Sequence, residues 1–243
     1  MKFSTLMTTL ASGSLGNLPI FGEGTGVPQD QAYVRTAVAV NQALTEFYTR
    51  FAIRNRTLIF EAIDGRFQYP LDPMYAYNSG VAGDPKYILD SLEDPWLEMD
   101  ILWINRVLDD CGREAWVNAT ARTPRENQPI GRVFVTESNV VQLSYPKAGH
   151  QYTVEYRGAP ELLDPETIDP DVDEFMLPTV YVPAFVEKVS ALIYRSLNGQ
   201  ENTAKGAELT MSSEIVQTKL EDKNVDNKES ATYNERFSLN GWI

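Results

Sequence analysis

The chain has 243 residues, of which 43% are hydrophobic and 23% are charged, which is typical of a folded globular protein and excludes wholesale disorder. Its 21 Lys and Arg residues against 34 Asp and Glu residues give a net charge of −13. Tight nucleic-acid binding depends on basic side chains, so this charge argues against that function. A single cysteine, Cys111, excludes an intrachain disulfide and favours a reducing compartment.

Two helices are predicted near the start of the chain. A short one runs from Ser4 to Ala11, and the Gly-rich sequence GSLGNLPIFGEGTG after it predicts a loop. A longer helix covers PQDQAYVRTAVAVNQALTEFYTRFAI, where Pro28 suits the first turn and Arg50, Arg54 and Arg56 suit the negative end of the helix dipole. Its apolar residues recur at three- and four-residue spacing. They are Tyr33, Ala37, Val40, Leu44, Phe47 and Phe51.

The middle of the chain changes to the pattern of strands. Segments rich in β-branched and aromatic residues, several of them alternating apolar with polar, are separated by turn residues. This predicts an antiparallel sheet or small barrel between about Thr57 and Gly158. The Pro-, Gly- and Asp-rich segment DGRFQYPLDPMYAYNSGVAGDPKY predicts a long exposed loop within it. The predicted strands are Thr57 to Ile63, Trp96 to Leu108, GRVFVTES with NVVQLSY, and QYTVEYRG.

Helical spacing returns after Pro183. A wide apolar stripe that includes Phe185 and Val189 predicts a buried helix ending at Asn198–Gly199, and the more polar ENTAKGAELTMSSEIVQTKLEDK predicts a half-exposed one. The sequence thus predicts an α+β fold with a helical bundle, an inserted antiparallel β-sheet or barrel, and an extended C-terminal tail. The bundle is predicted from residues 1–56 and 159–225, the β region from 57–158 and the tail from 226–243.

The acidic segment DPDVDE, Asp169 to Glu174, resembles the opening of a calcium loop. In a helix–loop–helix site that starts at Asp169, the sixth residue is Gly and the twelfth is Glu, but here they are Glu174 and Val180. The pattern therefore predicts a solvated acidic approach to the following helix. We expect no metal and no cofactor.

Catalytic chemistry has little support in the sequence. His150 and Cys111 are each unique and lie in predicted turns, PKAGHQ and DDCGRE. The chain lacks a G-x-S-x-G motif, and GEGTG lacks the Lys of a phosphate-binding loop. The sequence predicts a protein that is not an enzyme, while a Cys111–His150 pair remains an alternative.

Six stretches, taken together and in order, carry a family resemblance over nearly the whole chain. They are MKFSTLMTTLASGSLGNLPIFGEG, VAVNQALTEFYTRFAIRNRTLIFEA, DILWINRVLDDCGREAWVN, YTVEYRGAPELL, FMLPTVYVPAFVEKVSALIYRSLNGQEN and TYNERFSLNGWI. Their order resembles the head-to-tail adaptor proteins of short-tailed bacteriophages, the tail tubular protein A type. The resemblance implies a ring of twelve copies in the neck of the virion, assembled in the host cytoplasm. It also implies docking on the portal protein and contact with the tail nozzle, while DNA passes through without specific binding.

The C-terminal tail has a pattern that points to a partner. A polar run ends in isolated apolar residues, which would fray at a terminus unless something held them, and large aromatics commonly anchor interfaces. The residues predicted to contact the portal are Tyr233, Phe237, Leu239, Trp242 and Ile243.

A Tyr-rich stretch, QYPLDPMYAYN, offers a second candidate surface. Tyr69, Tyr75 and Tyr77 are predicted either to contact the tail nozzle or, in an alternative function, to stack on a carbohydrate or small ligand in a soluble α+β binding module. We expect no membrane partner, because no apolar run approaches the ~20 residues that span a bilayer.

Overall fold

The computed structural model describes residues 1–22, 29–77, 85–89, 99–115, 133–144, 146–197 and 199–222. These residues form helices and two antiparallel sheets, which confirms the α+β fold class. The chain divides into two compact units. The helical unit comprises Met1–Ile53 and Glu161–Ile243, and the β unit comprises Arg54–Pro160.

The helical unit contains four helices in its described part. They are α1 (Phe3–Ser12), α2 (Asp30–Arg50), α3 (Val182–Ser196) and α4 (Gln200–Asp222). All four lie in segments predicted to be helical, and apolar spacing is the basis of the prediction for α2 and α3. Because α2 ends at Arg50, the expectation that Arg54 and Arg56 lie at its C-terminal end is wrong, and Arg56 belongs to the first strand instead.

The core between α2 and α3 is aromatic. The Phe47 ring packs edge-on against Phe185 with centroids 5.5 Å apart, and Phe51 lies 4.7 Å from Tyr181. Phe175 adds a further ring against Phe185 at 5.5 Å. Phe47, Phe51 and Phe185 lie on the apolar faces that the sequence pattern predicts, and Phe175 and Tyr181 lie in the segment that leads into α3. The spacing of apolar residues that predicts the helices therefore also predicts which of their residues form this core.

The β unit holds a four-stranded sheet in the order β1-β7-β3-β4 and a three-stranded sheet in the order β2-β6-β5. All strand pairs are antiparallel. In β7 the residues Tyr152, Val154 and Tyr156 point into the core, as strict alternation requires. The strands are β1 (Asn55–Glu61), β2 (Gln68–Pro70), β3 (Ile101–Asp109), β4 (Glu114–Ala115), β5 (Val133–Glu137), β6 (Val140–Leu143) and β7 (Gln151–Gly158).

One buried carboxylate lies where the chain enters and leaves the β unit. Asp100 accepts a hydrogen bond from the Arg56 guanidinium at 2.8 Å and another from the Tyr156 hydroxyl at 3.0 Å. A Cβ at Gly158 would lie 3.0 Å from the Asp100 carboxylate and 3.3 Å from Arg54, so glycine makes room for this cluster. The pair satisfies both charges, which is what a buried ion pair requires.

The described part of the segment predicted to be a long exposed loop, residues 64–77 and 85–87, is partly ordered and buried, and residues 78–84 lie outside the described residues. The described part forms β2 and a short 3-10 turn at Pro73–Tyr75, and both Tyr69 and Tyr87 are fully buried. The Arg66 guanidinium packs over the Tyr87 ring at 4.6 Å and over Tyr75 at 5.0 Å. These contacts lie within the segment itself, and β2 pairs with the distant strand β6, with Tyr69 opposite Val141, so packing and pairing override the local preference for a loop.

The acidic segment 169–174 lies beside a different helix from the one expected. The carbonyls of Asp173 and Pro170 accept hydrogen bonds from the amides of Phe3 and Ser4, both at 2.9 Å. These contacts satisfy free amides at the start of α1, whereas α3 begins only at Val182. The carboxylate of Asp173 accepts from the Asp169 amide at 2.7 Å, so it serves the turn itself.

Candidate interaction surfaces

The predicted portal-binding residues of the tail cannot be placed. Tyr233, Phe237, Leu239, Trp242 and Ile243 all lie outside the described residues. Their role stays a prediction from the sequence.

The three tyrosines of the second candidate surface have different environments. Tyr69 is fully buried, and its hydroxyl donates to the Arg66 carbonyl at 2.7 Å, so its expected role as a contact residue is wrong. Burial and the loss of solvent raise the pKa of Tyr69. Tyr75 is half-buried and stacked on Tyr87 at 4.9 Å. Tyr77 is 56% exposed and is the member of the three best placed to contact a partner.

The unique cysteine and histidine both contact Asp110 in the same acidic turn. Nδ1 of His150 lies 3.2 Å from a carboxylate oxygen of Asp110. A hydrogen bond with Asp110, together with its negative charge, raises the pKa of the exposed Cys111 thiol. A raised pKa reduces the thiolate fraction at neutral pH, so this environment makes Cys111 a poorer nucleophile.

The same turn contains the cluster Asp109, Asp110 and Cys111, whose potential ligand atoms lie within 4.8 Å of one another. The Asp109 carboxylate is already used by the turn: it accepts hydrogen bonds from the amides of Cys111 at 3.0 Å and Arg113 at 2.7 Å. It also pairs with the Arg113 guanidinium at 2.8 Å. The geometry of Asp109 is therefore explained by the hairpin between β3 and β4.

The β unit exposes one large aromatic on a strand. Trp103 of β3 is 67% exposed and lies opposite Arg157 of β7. The pairing register shifts between Ile101 and Trp103, so a bulge interrupts the alternation and turns this side chain outward. Strand propensity predicts a strand around Trp103, but the bulge depends on pairing with β7 and has no local signal in the sequence.

The face of α4 that packs on α3 is small and polar. Gly206, Ser213 and Gln217 are buried there. The Ser213 hydroxyl donates to the Ala184 carbonyl at 2.8 Å, and the Gln217 amide donates to the Ser213 hydroxyl at 3.0 Å. A Cβ on Gly206 would lie 3.1 Å from the Ala191 carbonyl oxygen, so the two helices approach closely at that point.

Charged side chains tie α4 to the C-terminal end of α2. The Arg50 guanidinium donates two hydrogen bonds of 3.0 Å to the Glu221 carboxylate, one of 2.7 Å to Glu214 and one of 3.0 Å to Gln217. Its hydrogen bonds to Glu221 are the largest influence that raises the pKa of Arg50 above its usual range. From α3, the Lys188 ammonium contacts Glu46 at 2.6 Å.

The opposite side of α4 is exposed and partly apolar. Met211 is 68% and Ile215 is 54% exposed. We call this surface the α4 outer face and define it by Ala204, Ala207, Glu208, Met211 and Ile215. The buried residues of α4 are Gly206, Ser213 and Gln217, its exposed large apolar residues are Met211 and Ile215, and its remaining large apolar residues, Leu209, Val216 and Leu220, are half-buried.

A second exposed apolar surface lies between α2 and α3. Val34 is 45% and Val38 is 43% exposed, and together they form one wall of an open groove. We call it the α2 groove and define it by its lining residues. These are Val34, Arg35, Val38, Ala39, Gln42, Leu192, Ile193 and Ser196.

Within the described ranges, no helix has the length and apolar character that crossing a membrane requires. The α4 outer face, the α2 groove, Trp103 and Tyr77 are candidate recognition surfaces among the exposed apolar residues of the described part of the chain. Comparison of the chain with protein-family models and with curated proteins finds no match.

Proposed function

We propose that the protein is a structural head-to-tail adaptor of a tailed phage virion and is not an enzyme. It forms a ring that docks on the portal, connects the portal to the tail nozzle and extends the DNA channel. One observation carries this proposal: α4 buries polar residues and exposes Met211 and Ile215. Large apolar side chains on an exposed helix face are typical of a surface that another protein covers.

The division into units supports the same function. Both ends of the sequence contribute to the helical unit, and the β unit is inserted between them. The resemblance stated above implies this arrangement for a ring body with an attached module. Each unit has an exposed surface of its own, Met211 with Ile215 in one and Trp103 in the other. One protein that connects two partners needs at least two such surfaces.

The electrostatics suit a conduit. With a net charge of −13, the chain lacks the excess of cations that would neutralise phosphates and hold DNA. Genome transit through a ring of such subunits is not opposed by tight binding to the wall. The raised pKa of the Cys111 thiol also favours a role without nucleophilic catalysis.

The experiment removes the tail. A chain lacking residues 233–243 should keep the circular dichroism of the full chain, because the described helices end at Asp222. It should no longer be captured by rings of the portal protein from the same virus, whereas the full chain should be. The matched control is Tyr77→Ala, which removes an exposed aromatic of the β unit and should leave capture by the portal intact. Equal capture of the full and shortened chains would contradict the assignment of residues 233–243 as the segment that binds the portal.

A further inference from the structure

We propose that the α4 outer face of one copy packs into the α2 groove of a second copy, and that this contact repeats around the ring. The inference rests on the ring proposed above and names the surfaces that form it. It follows from three features of the helical unit: the small and polar buried face of α4, the match between the two exposed surfaces, and the charges beside those surfaces.

The first feature is the polarity of α4. A surface helix normally turns its apolar residues inward, but α4 is held to α3 through Gly206, Ser213 and Gln217. The inward contacts are specific, with Ser213 bonded to the Ala184 carbonyl and Glu221 bidentate with Arg50. The orientation of α4 is therefore fixed by polar contacts, and that orientation exposes Met211 and Ile215.

The second feature is the match in spacing. Met211 and Ile215 are four residues apart on α4, and Val34 and Val38 are four residues apart on α2. Residues four apart form ridges along a helix surface, and such a ridge fits the groove of another helix. The two helices have 23 and 21 residues, so each is longer than about 30 Å and offers several turns for contact.

The third feature is charge. Arg35 lines the α2 groove and makes no ion pair with any described residue. Glu208 precedes Met211 by one turn and pairs only with Lys205 of its own helix, at 2.8 Å and largely exposed. An exposed pair of this kind contributes little, so Glu208 is free to exchange Lys205 for a cation on another copy.

The pairing of Arg35 with Glu208 favours parallel helices. With Met211 opposite Val34 in a parallel pair, Glu208 lies about four residues along the helix from Arg35. With Met211 opposite Val38 in an antiparallel pair, Glu208 lies about six residues from Arg35.

The two surfaces differ, and every copy carries both. Such a contact is heterologous: it leaves one free surface at each end of a pair, so it repeats and closes into a ring if the rotation allows. A contact between two identical α4 faces would stop at a dimer. A head-to-tail contact between α4 and the α2 groove thus has the symmetry that an adaptor ring needs.

The first test is an exchange of charges. Arg35→Glu and Glu208→Arg should each weaken self-association by about two- to fivefold, the range for one exposed ion pair, and the double variant should recover most of the loss. Sedimentation velocity over a range of protein concentrations measures the association. Met211→Glu should reduce it further, because it places a charge in an apolar contact. Val172→Glu is the control, since Val172 is 74% exposed in the same unit but lies on neither surface. If the two losses of self-association added in the double variant, without recovery, the proposed ion pair between Arg35 and Glu208 would be overturned.

The second test traps the contact covalently. In a Cys111→Ser background, copies with Val34→Cys are mixed with copies with Met211→Cys that carry a size tag. Under a mild thiol oxidant we expect a disulfide-linked heterodimer, with Val172→Cys giving far less. Disulfide linkage between two Met211→Cys copies only would show a symmetric contact between α4 faces and overturn the proposed interface. Linkage no stronger than that of the Val172→Cys control would also overturn it. Linkage that appears only after residues 233–243 are deleted would assign the groove to the tail and overturn the contact in the full chain.

The outcomes separate this inference from the proposed function. Capture of the full chain by portal rings without disulfide trapping would overturn the interface and leave the adaptor standing. Trapping without capture would support the interface between copies and overturn the adaptor. The two results come from different measurements on the same protein.

Discussion

The β unit and the fourth helix of the helical unit are held in place in different ways. The β unit has a continuous core in which Phe60, Tyr69 and Tyr156 are fully buried. In the helical unit, α1, α2 and α3 also bury apolar side chains, but α4 is attached through glycine, serine, glutamine and ion pairs to Arg50. An aromatic core maximises buried apolar area, whereas polar attachment fixes one orientation and leaves apolar residues available for the outside.

The tryptophans allow the two units to be followed separately. The chain has four, and the one among the described residues, Trp103, lies on β3 of the β unit. With Trp96, Trp116 and Trp242 replaced by Phe, tryptophan fluorescence therefore reports on the β unit. Far-UV circular dichroism is dominated by the helices. Urea unfolding followed by both signals compares the units within one sample.

The largest expected effect is that of Phe60→Ala. Phe60 is fully buried, and its ring packs against Tyr69 at 4.9 Å and Tyr152 at 5.4 Å. Removing it leaves a cavity that the surrounding rings fill only partly, so we expect a loss of about 3–5 kcal/mol in the free energy of unfolding. The fluorescence midpoint in urea should fall while the circular dichroism midpoint moves much less.

Phe67→Ala is the matched control, because it removes the same side chain at a position that is 52% exposed in the same unit. It should change stability by less than about 1 kcal/mol. If Phe60→Ala lowered both midpoints equally, the two units would unfold as one and the comparison between them would fail for stability.

A smaller effect is expected from Gly206→Leu, which acts on the other unit. A Cβ at this position would lie 2.9 Å from the Arg195 side chain and 3.1 Å from the Ala191 carbonyl, so α4 must move away from α3. Overpacking costs about 1–3 kcal/mol, and the better helix propensity of leucine offsets up to about 1 kcal/mol. We expect a net loss of about 1–2 kcal/mol, seen in circular dichroism and not in fluorescence.

Ala207→Leu provides the control, since it adds the same side chain one residue further on the exposed side of α4. It should leave stability within about 0.5 kcal/mol of the parent. Equal losses from both substitutions would mean that the close approach of α4 to α3 contributes little, which would weaken the account of how α4 is oriented.

The sequence predicts the elements of both units because their signals are local. Apolar spacing marks α2 and α3, and alternation marks β1 and β7. The polar side of α4 could not be predicted, because Ser213 and Gln217 look like exposed residues until their partners, the Ala184 carbonyl and Arg50, are known. Those partners are supplied by other helices, and the helical pattern contains no information about them.

Two errors in the sequence interpretation have the same origin. Tyr69 lies among Pro and Asp residues that favour a loop, yet it is buried in β2 and pairs with Val141 of β6. The acidic segment after Asp169 precedes α3 in sequence but is hydrogen-bonded to Phe3 at the start of α1. In both cases a contact between distant parts of the chain decides the environment, and composition alone points to the wrong neighbour.

The smallest expected effect concerns pH and the hairpin between β3 and β4. Burial raises the pKa of Asp109, but the amides of Arg113 and Cys111 and the Arg113 guanidinium lower it by more, so the pKa is held below its usual value. A carboxylate with a depressed pKa contributes stability that is present above about pH 4, its unfolded value, and is lost as the pH falls through the folded pKa. Asp109→Asn lacks this contribution, so its fluorescence midpoint in urea should fall less steeply on acidification than that of the parent. Because Arg113 is half exposed, we expect a difference below about 1 kcal/mol. Asp64→Asn removes an exposed carboxylate from another turn and therefore controls for the change in net charge. Parallel pH profiles of the urea midpoint for the parent and Asp109→Asn would show that the stability of the hairpin does not depend on the Asp109 charge.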